Sequence, residues 1–226
     1  ELQSFAEPDA EILEVGGQDY AKIGTENSTG TKLFSVSGHI RKPGVYEVPM
    51  GYPFIEFLNN ECGGILQGKA LKCLIPGGSS TPVLTADETK DLLLDYDSMR
   101  SKGTFLGSGG VIVIAEGTCT VKVLTNLLEF YHHESCGQCT PCREGTGWAA
   151  DILHRIEHGH GTSDDIENLA RVSSYIGGFT ICALGDAASM PIDSFVKKFR
   201  HEFEDHVKLK RCPYDNRFPQ YHIPIA

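Results

Sequence analysis

His133-Glu134-Ser135-Cys136-Gly137-Gln138-Cys139-Thr140-Pro141-Cys142-Arg143-Glu144-Gly145 places three cysteines at a beat of three between two helical runs. Thr140-Pro141 marks a helix start, because proline is tolerated where the first-turn amides lack partners anyway. The cysteines therefore sit in a loop and the first turn of the helix it enters. A fourth, Cys182, follows forty residues after Cys142, in Thr180-Ile181-Cys182-Ala183-Leu184-Gly185. A [4Fe–4S] cube needs one thiolate on each of four irons, and one short loop can cover three corners while a distant segment closes the fourth. A four-cysteine zinc site and buried structural thiols are the competing readings. Zinc commonly takes two separated C-x2-C pairs and suits three crowded cysteines less well.

Outward from this loop the chain reads as helical over residues 118–210. Leu124, Leu127, Leu128 and Tyr131 recur at i, i+3, i+4, i+7, as do Ala149, Ile152, Leu153 and Ile156. Ile166, Leu169, Ala170 and Ser173 repeat the beat, and Ile192, Phe195, Val196 and Phe199 repeat it again. Four apolar stripes of this kind predict an α-helical four-helix bundle. Ser163-Asp164-Asp165 and Met190-Pro191 are read as further helix starts, and Gly177-Gly178 as an end. In an up-and-down bundle the loop of Cys136, Cys139 and Cys142 and the loop of Cys182 fall at the same end.

Upstream, residues 31–115 predict a small α+β unit. Phe34 and Val36 alternate with Ser35 and Ser37, Pro43-Gly44 turns the chain, and Val45–Val48 returns as a second strand. Residues 53–58 read as a short helix, and Leu71–Ile75 and Val111–Ile114 as further strands. Strands, a helix and more strands suggest a β-grasp, ubiquitin-like module. The whole is thus an α+β chain with a β-grasp domain followed by a helical bundle. Residues 1–30, acidic and then rich in turn formers, read as a lead-in segment, and 211–226 as a tail.

Composition narrows the function. Thirty acidic against 20 basic residues give a net charge of −10, opposite to what a nucleic-acid groove needs. No apolar run reaches the about 18 residues of a membrane span. A chain of 226 residues with 40% hydrophobic content holds two modest domains. Residue 1 is Glu and no signal-peptide pattern follows, so the chain is expected to be processed or a piece of something longer. Eight cysteines in a chain this size, half of them in one constellation, indicate a reducing compartment rather than a disulfide scaffold. Cys62, Cys73 and Cys119 stand singly near apolar residues and read as buried structural thiols, and Cys212-Pro213 as incidental. No G-x-G-x-x-G or Walker A loop is present, and Gly107-Ser108-Gly109-Gly110 leads into a strand rather than into a helix.

Around the cysteines, Arg143 offers a cation in the first helical turn or an ion pair with a nearby Glu. His132 and His133 either tune the site or are solvated. Glu134, Glu144 and Asp186 read as hydrogen-bonding or helix-end groups, and Trp148 as a packing residue.

The segments His133–Gly145, Thr180–Ala188 and Phe199–Glu204 resemble the family of flavin-bearing subunits of respiratory complex I, NADH:quinone oxidoreductase. Gly30–Leu33, Ser37-Gly38-His39 and Pro76–Pro82 look like that family's SLBB β-grasp domain. The resemblance covers about residues 20–210. It implies that Cys136, Cys139, Cys142 and Cys182 ligate a [4Fe–4S] cluster that accepts electrons from reduced FMN. It also implies that FMN and NADH are bound by a missing N-terminal half or a partner chain. Expected partners are that flavin-binding half and other peripheral-arm subunits of complex I, notably the small 2Fe–2S subunit and the large iron–sulfur subunit. No nucleic acid and no direct membrane span are expected. Expected placement is peripheral, on the matrix side of the mitochondrial inner membrane or the cytoplasmic side of a bacterial membrane. The same module occurs in NAD-dependent hydrogenases and formate dehydrogenases. Several of those relatives append ferredoxin-like cysteines, which Pro213–Ala226 lacks. A zinc or docking module without redox function is the reading from another class. For the β-grasp domain a scaffold role is expected, rather than ligand binding.

Overall fold

Alternating apolar and small polar residues make Thr31–Gly38 a strand (β1), which turns back through Gly44–Pro49 (β2) in antiparallel register, Phe34 opposite Tyr46. A short helix, α1 (Phe54–Asn60), follows with Pro53 as its N-cap. Then come β3 (Leu71–Ile75), β4 (Leu84–Thr85), α2 (Tyr96–Ser101) and β5 (Gly110–Ala115). These belong to a computed structural model in which residues 12–214 are described. The five strands form one sheet in the order β2-β1-β5-β3-β4. β1 and β5 run parallel at its centre, with Val36 opposite Val111, and the other pairs are antiparallel. First and last strands side by side, with a helix against the sheet, are the β-grasp arrangement expected from the sequence.

The core of this unit is the contact between α1 and the sheet. Phe57, fully buried, stands within 5.7–6.3 Å, ring centre to ring centre, of Phe34, Tyr46, Tyr52 and Phe54. Val36, Leu58, Leu74, Val111 and Val113 complete it. Each such side chain contributes about 1.5–3 kcal/mol by leaving water. The Gly107–Gly110 run pairs with the Pro76-Gly77-Gly78 turn, Ser108 N–H donating to Gly77 O at 3.0 Å and Gly78 N–H to Gly110 O at 2.6 Å. Residues ahead of β1 are folded too, with a helical turn at Gly17–Tyr20 and a two-residue ladder between Gly24–Thr25 and Ser28–Thr29.

The chain divides into two units, Glu1–Ala115 and Glu116–Ala226. The second consists of α3 (Thr120–Glu134), α4 (Thr140–Glu157), α5 (Ser163–Ile176) and α6 (Leu184–Leu209). Each helix packs on the next and α6 packs back on α3, which closes the bundle. The stripes read from the sequence are its interior: Leu124, Leu128, Ala149, Leu153, Ile156, Leu169, Ile192 and Phe195 are buried. α5 opens with a capping box, in which Thr162 accepts from the Asp165 amide and Asp165 accepts from the Thr162 amide.

One expected boundary is corrected. Met190-Pro191 does not begin the last helix: α6 begins at Leu184 and Pro191 lies inside it. Proline removes one i→i−4 bond without removing its neighbours' bonds, and the helix carries the loss because Pro191, Ile192 and Phe195 are buried on its packed face. The helix departs from regular geometry at Phe199 (φ −121°, ψ 25°).

Candidate functional site

The α3–α4 loop and the α5–α6 loop meet at one end of the bundle. Cys139 is the N-cap of α4, Cys142 lies in its first turn, and Cys136 sits in the loop before it. Cys182 lies two residues ahead of α6. The contact that joins the loops is the Ile181 N–H, which donates to Cys139 Sγ at 3.4 Å. Ser135 Oγ lies 3.3 Å from Cys142 Sγ and accepts from the Gly137 N–H at 3.4 Å. Cys142 is buried, Cys139 half-buried, and Cys136 and Cys182 are exposed.

Local structure holds both loops in shape. Arg143 donates from Nη1 to Gly137 O at 2.8 Å and from Nε to Glu144 at 2.8 Å. It thus pins the cysteine loop and pairs with a Glu, where the sequence left a choice. In the other loop, Gly178 N–H donates to Asp186 Oδ1 at 2.7 Å and Thr180 Oγ1 donates to Cys182 O at 2.9 Å. Asp186 is the helix-end group expected of it. His132 Nδ1 lies 3.3 Å from Thr146 Oγ1, and His133 and Glu134 are exposed. Trp148 does not pack as expected: it is 59% exposed, on the outer face between α4 and α5. Phe179 and Ile181, 66% and 87% exposed, flank the Cys182 turn.

The donors suit an iron–sulfur cluster. Four thiols come from two loops, and a backbone N–H and a hydroxyl already point at two of the sulfurs, the kind of hydrogen bonding that tunes cluster potentials. A single zinc ion draws its sulfurs to about 3.8 Å from one another, given Zn–S bonds of about 2.3 Å. Among the described residues, two groups of three have ligand atoms all within 4.8 Å: Cys119, His206 and Cys212, and His154, Glu157 and His158. None of the four loop cysteines belongs to either group.

Cys119 and Cys212, read from the sequence as a structural thiol and an incidental one, thus lie together with a histidine. The Cys119 thiol is pushed up to about 12 by burial, with Cys212 and Glu202 adding to the rise. No local pattern announces the group, because Cys119 and His206 are 87 residues apart. Cys62 is a buried thiol as expected, pushed up to about 11 by burial and the adjacent Glu61. Cys73 is buried as well.

Comparison with known families places a protein class on this geometry. Residues 32–114 match the SLBB domain, and residues 122–206 match the NADH-ubiquinone oxidoreductase-F iron-sulfur binding region, which contains all four loop cysteines. The chain is an SLBB domain followed by that iron–sulfur binding region. Both regions together match F-type subunits of NADH-quinone oxidoreductase over about 90% of this chain. It is 46% identical over 203 residues to the second F-type NADH-quinone oxidoreductase subunit of Rhizobium meliloti (strain 1021), covering 90% of this chain and 48% of that one. It is 44% identical over 198 residues to "NADH dehydrogenase [ubiquinone] flavoprotein 1, mitochondrial" of Dictyostelium discoideum, covering 87% and 41%. Among solved structures it resembles a chain of an NAD+-reducing [NiFe]-hydrogenase in the air-oxidized state, with a TM-score of 0.75 and 28% identity over 94% of this chain and 35% of that one. The chain spans about half the length of the curated relatives it matches.

Proposed function

We propose that this chain is the electron-relay region of an NADH:quinone oxidoreductase, with Cys136, Cys139, Cys142 and Cys182 holding a [4Fe–4S] cluster. The observation that carries the reading is the Ile181 N–H on Cys139 Sγ, which brings the Cys182 segment to the three-cysteine loop. A bound cluster would supply one-electron steps, accepting electrons singly from a reduced flavin and releasing them singly to the next centre. The chain's own residues fix the sulfurs. The N-terminus of α4 directs its unpaired amides and positive dipole end toward the Cys139–Cys142 turn, and Arg143 holds the loop through Gly137 O. Cys142 and Ser135 form its inner wall.

The working division is an SLBB domain over 31–115 and a cluster domain over 118–210, supported by the unit boundary after Ala115. FMN and NADH belong to the part of such subunits outside this chain. The partners in this reading are the flavin-binding half and the small 2Fe–2S and large iron–sulfur subunits of a peripheral arm. The assembly is peripheral to a mitochondrial or bacterial membrane. No helix among the described residues is long and apolar enough to cross one.

The likeness to the hydrogenase chain favours a second reading, the equivalent diaphorase subunit of an NAD-dependent hydrogenase. Identity to the quinone-oxidoreductase relatives is higher, 46% against 28%, and supports the complex I reading ahead of it. Identifying the chains that co-purify with the native protein separates the two.

The test of the relay is low-temperature EPR of anaerobically purified chain after dithionite, with iron and sulfide analysis. The expected result is a fast-relaxing signal with about four irons per chain, lost in Cys139→Ser and in Cys182→Ser. Zinc at the four cysteines, without iron and without a signal, would leave a scaffold.

A further inference from the structure

We propose that Cys119, His206 and Cys212 form a second metal site, for a structural zinc ion, at the end of the bundle opposite the four loop cysteines. Cys119 is the N-cap of α3, His206 lies in the last turn of α6, and Cys212 lies in the turn that follows. The Cys136 loop is at the far end of α3, whose 15 residues span about 20 Å. The two sites are therefore separate, and Cys119 and Cys212 lie outside the residues that match the iron–sulfur binding region.

The three ligand atoms lie within 4.8 Å of one another. Cys119 Sγ is 3.3 Å from His206 Nε2. Around tetrahedral zinc, a sulfur at about 2.3 Å and a nitrogen at about 2.05 Å stand about 3.6 Å apart. A small outward shift admits the ion, and two thiolates with an imidazole are a donor set zinc favours.

The surroundings orient the donors as a metal requires. His206 Nδ1 lies 2.6 Å from the backbone oxygen of Glu202. A carbonyl only accepts, so Nδ1 carries a proton there and Nε2 is the ring nitrogen that faces Cys119. Cys119 Sγ accepts the Lys122 N–H at 3.4 Å, which holds the sulfur at the start of α3. Glu202, almost fully buried, accepts from Thr120 N–H at 3.0 Å and from Thr120 Oγ1 at 2.7 Å, which fixes the residue next to Cys119.

The chain reverses sharply to deliver Cys212. Lys210, just past α6, adopts the left-handed conformation (φ 55°, ψ 32°), which non-glycine residues adopt only when the surroundings enforce it. Gly159 makes the room: a Cβ there would stand 2.0 Å from Lys210 O. Lys210 Nζ donates to Gly161 O at 3.1 Å. His154, Glu157 and His158, the other close group, form a weaker candidate, because it is partly exposed and His154 is already paired with Glu129 at 2.7 Å.

Binding at neutral pH displaces the two thiol protons and leaves zinc's fourth bond to water or a further donor. The ion would tie the start of α3 to the segment after α6, closing the bundle with a bond that no helix contact supplies.

The test uses the full chain, purified anaerobically without chelator from zinc-replete cells, with zinc and iron read from the same digest. Expected are about one zinc per chain and a zinc absorption spectrum with two sulfurs at about 2.3 Å and at least one nitrogen at about 2.0–2.1 Å. Cys212→Ser, at a half-buried position that keeps the fold, should lose zinc at least about tenfold with iron unchanged, and Cys119→Ser should do the same. Iron without zinc, zinc retained in the Cys119→Ser/Cys212→Ser double variant, or a Cys119–Cys212 disulfide under these conditions would overturn the site. Zinc at these residues without iron would sink the electron relay and leave this site standing.

Discussion

Gly185 stands against Thr180 so closely that a Cβ at position 185 would lie 2.4 Å from Thr180 Oγ1 and 2.6 Å from its Cγ2. The contact closes the turn that carries Cys182, and Thr180 Oγ1 donates to Cys182 O at 2.9 Å across the same turn. Gly185→Ala is expected to cost about 1–3 kcal/mol through overpacking and to lower iron occupancy. Thr180→Ala in the same chain should recover at least about half of the stability loss, since contacting sites are non-additive. Urea unfolding of the two single variants and the double variant reads this directly, and additive losses would contradict the close contact.

In the β-grasp unit, Phe57→Ala removes the ring against which Phe34, Tyr46, Tyr52 and Phe54 pack. The expected cost is about 3–5 kcal/mol. Hydrogen exchange of the β1 and β5 amides should accelerate accordingly, while amides of the helical bundle keep their protection.

Asp165 ties stability to pH. Burial alone would raise its carboxyl, but hydrogen bonds from Arg155 and Thr162 and the Arg155 charge outweigh it and hold the group below the usual carboxylate range. A depressed folded-state value means the contribution is complete above the unfolded value of about 3.9 and is lost as pH falls through the folded one. Asp165→Asn should therefore destabilise most at neutral pH, by about 1 kcal/mol through the lost cap. The gap from the parent should shrink in acid, as denaturation midpoints between neutral pH and about pH 2 will show.

How much of the fold a linear reading discloses depends on how local each signal is. The helix start at Thr140-Pro141 is legible because the proline sits where no amide bond is lost. The interior stripes are legible because a 3.6-residue period survives without tertiary information. Pro191 carries the same signal as Pro141 and misleads, since burial of its helix face outweighs one missing hydrogen bond. Trp148, near the start of the second helix, is expected to pack, yet it lies outside the buried stripe of Ala149, Ile152 and Leu153. The meeting of Cys119, His206 and Cys212 is invisible because nothing in a linear reading links the first turn of one helix to the segment beyond another.

Cys136 and Cys182 lie at loop tips, open to whatever surrounds them. In air, bare thiols so placed would be the first to climb through sulfenic acid to irreversible acids, while sheltered Cys142 lagged behind. Without a bound cluster, these two outermost sulfurs would thus be the corners most open to oxidation.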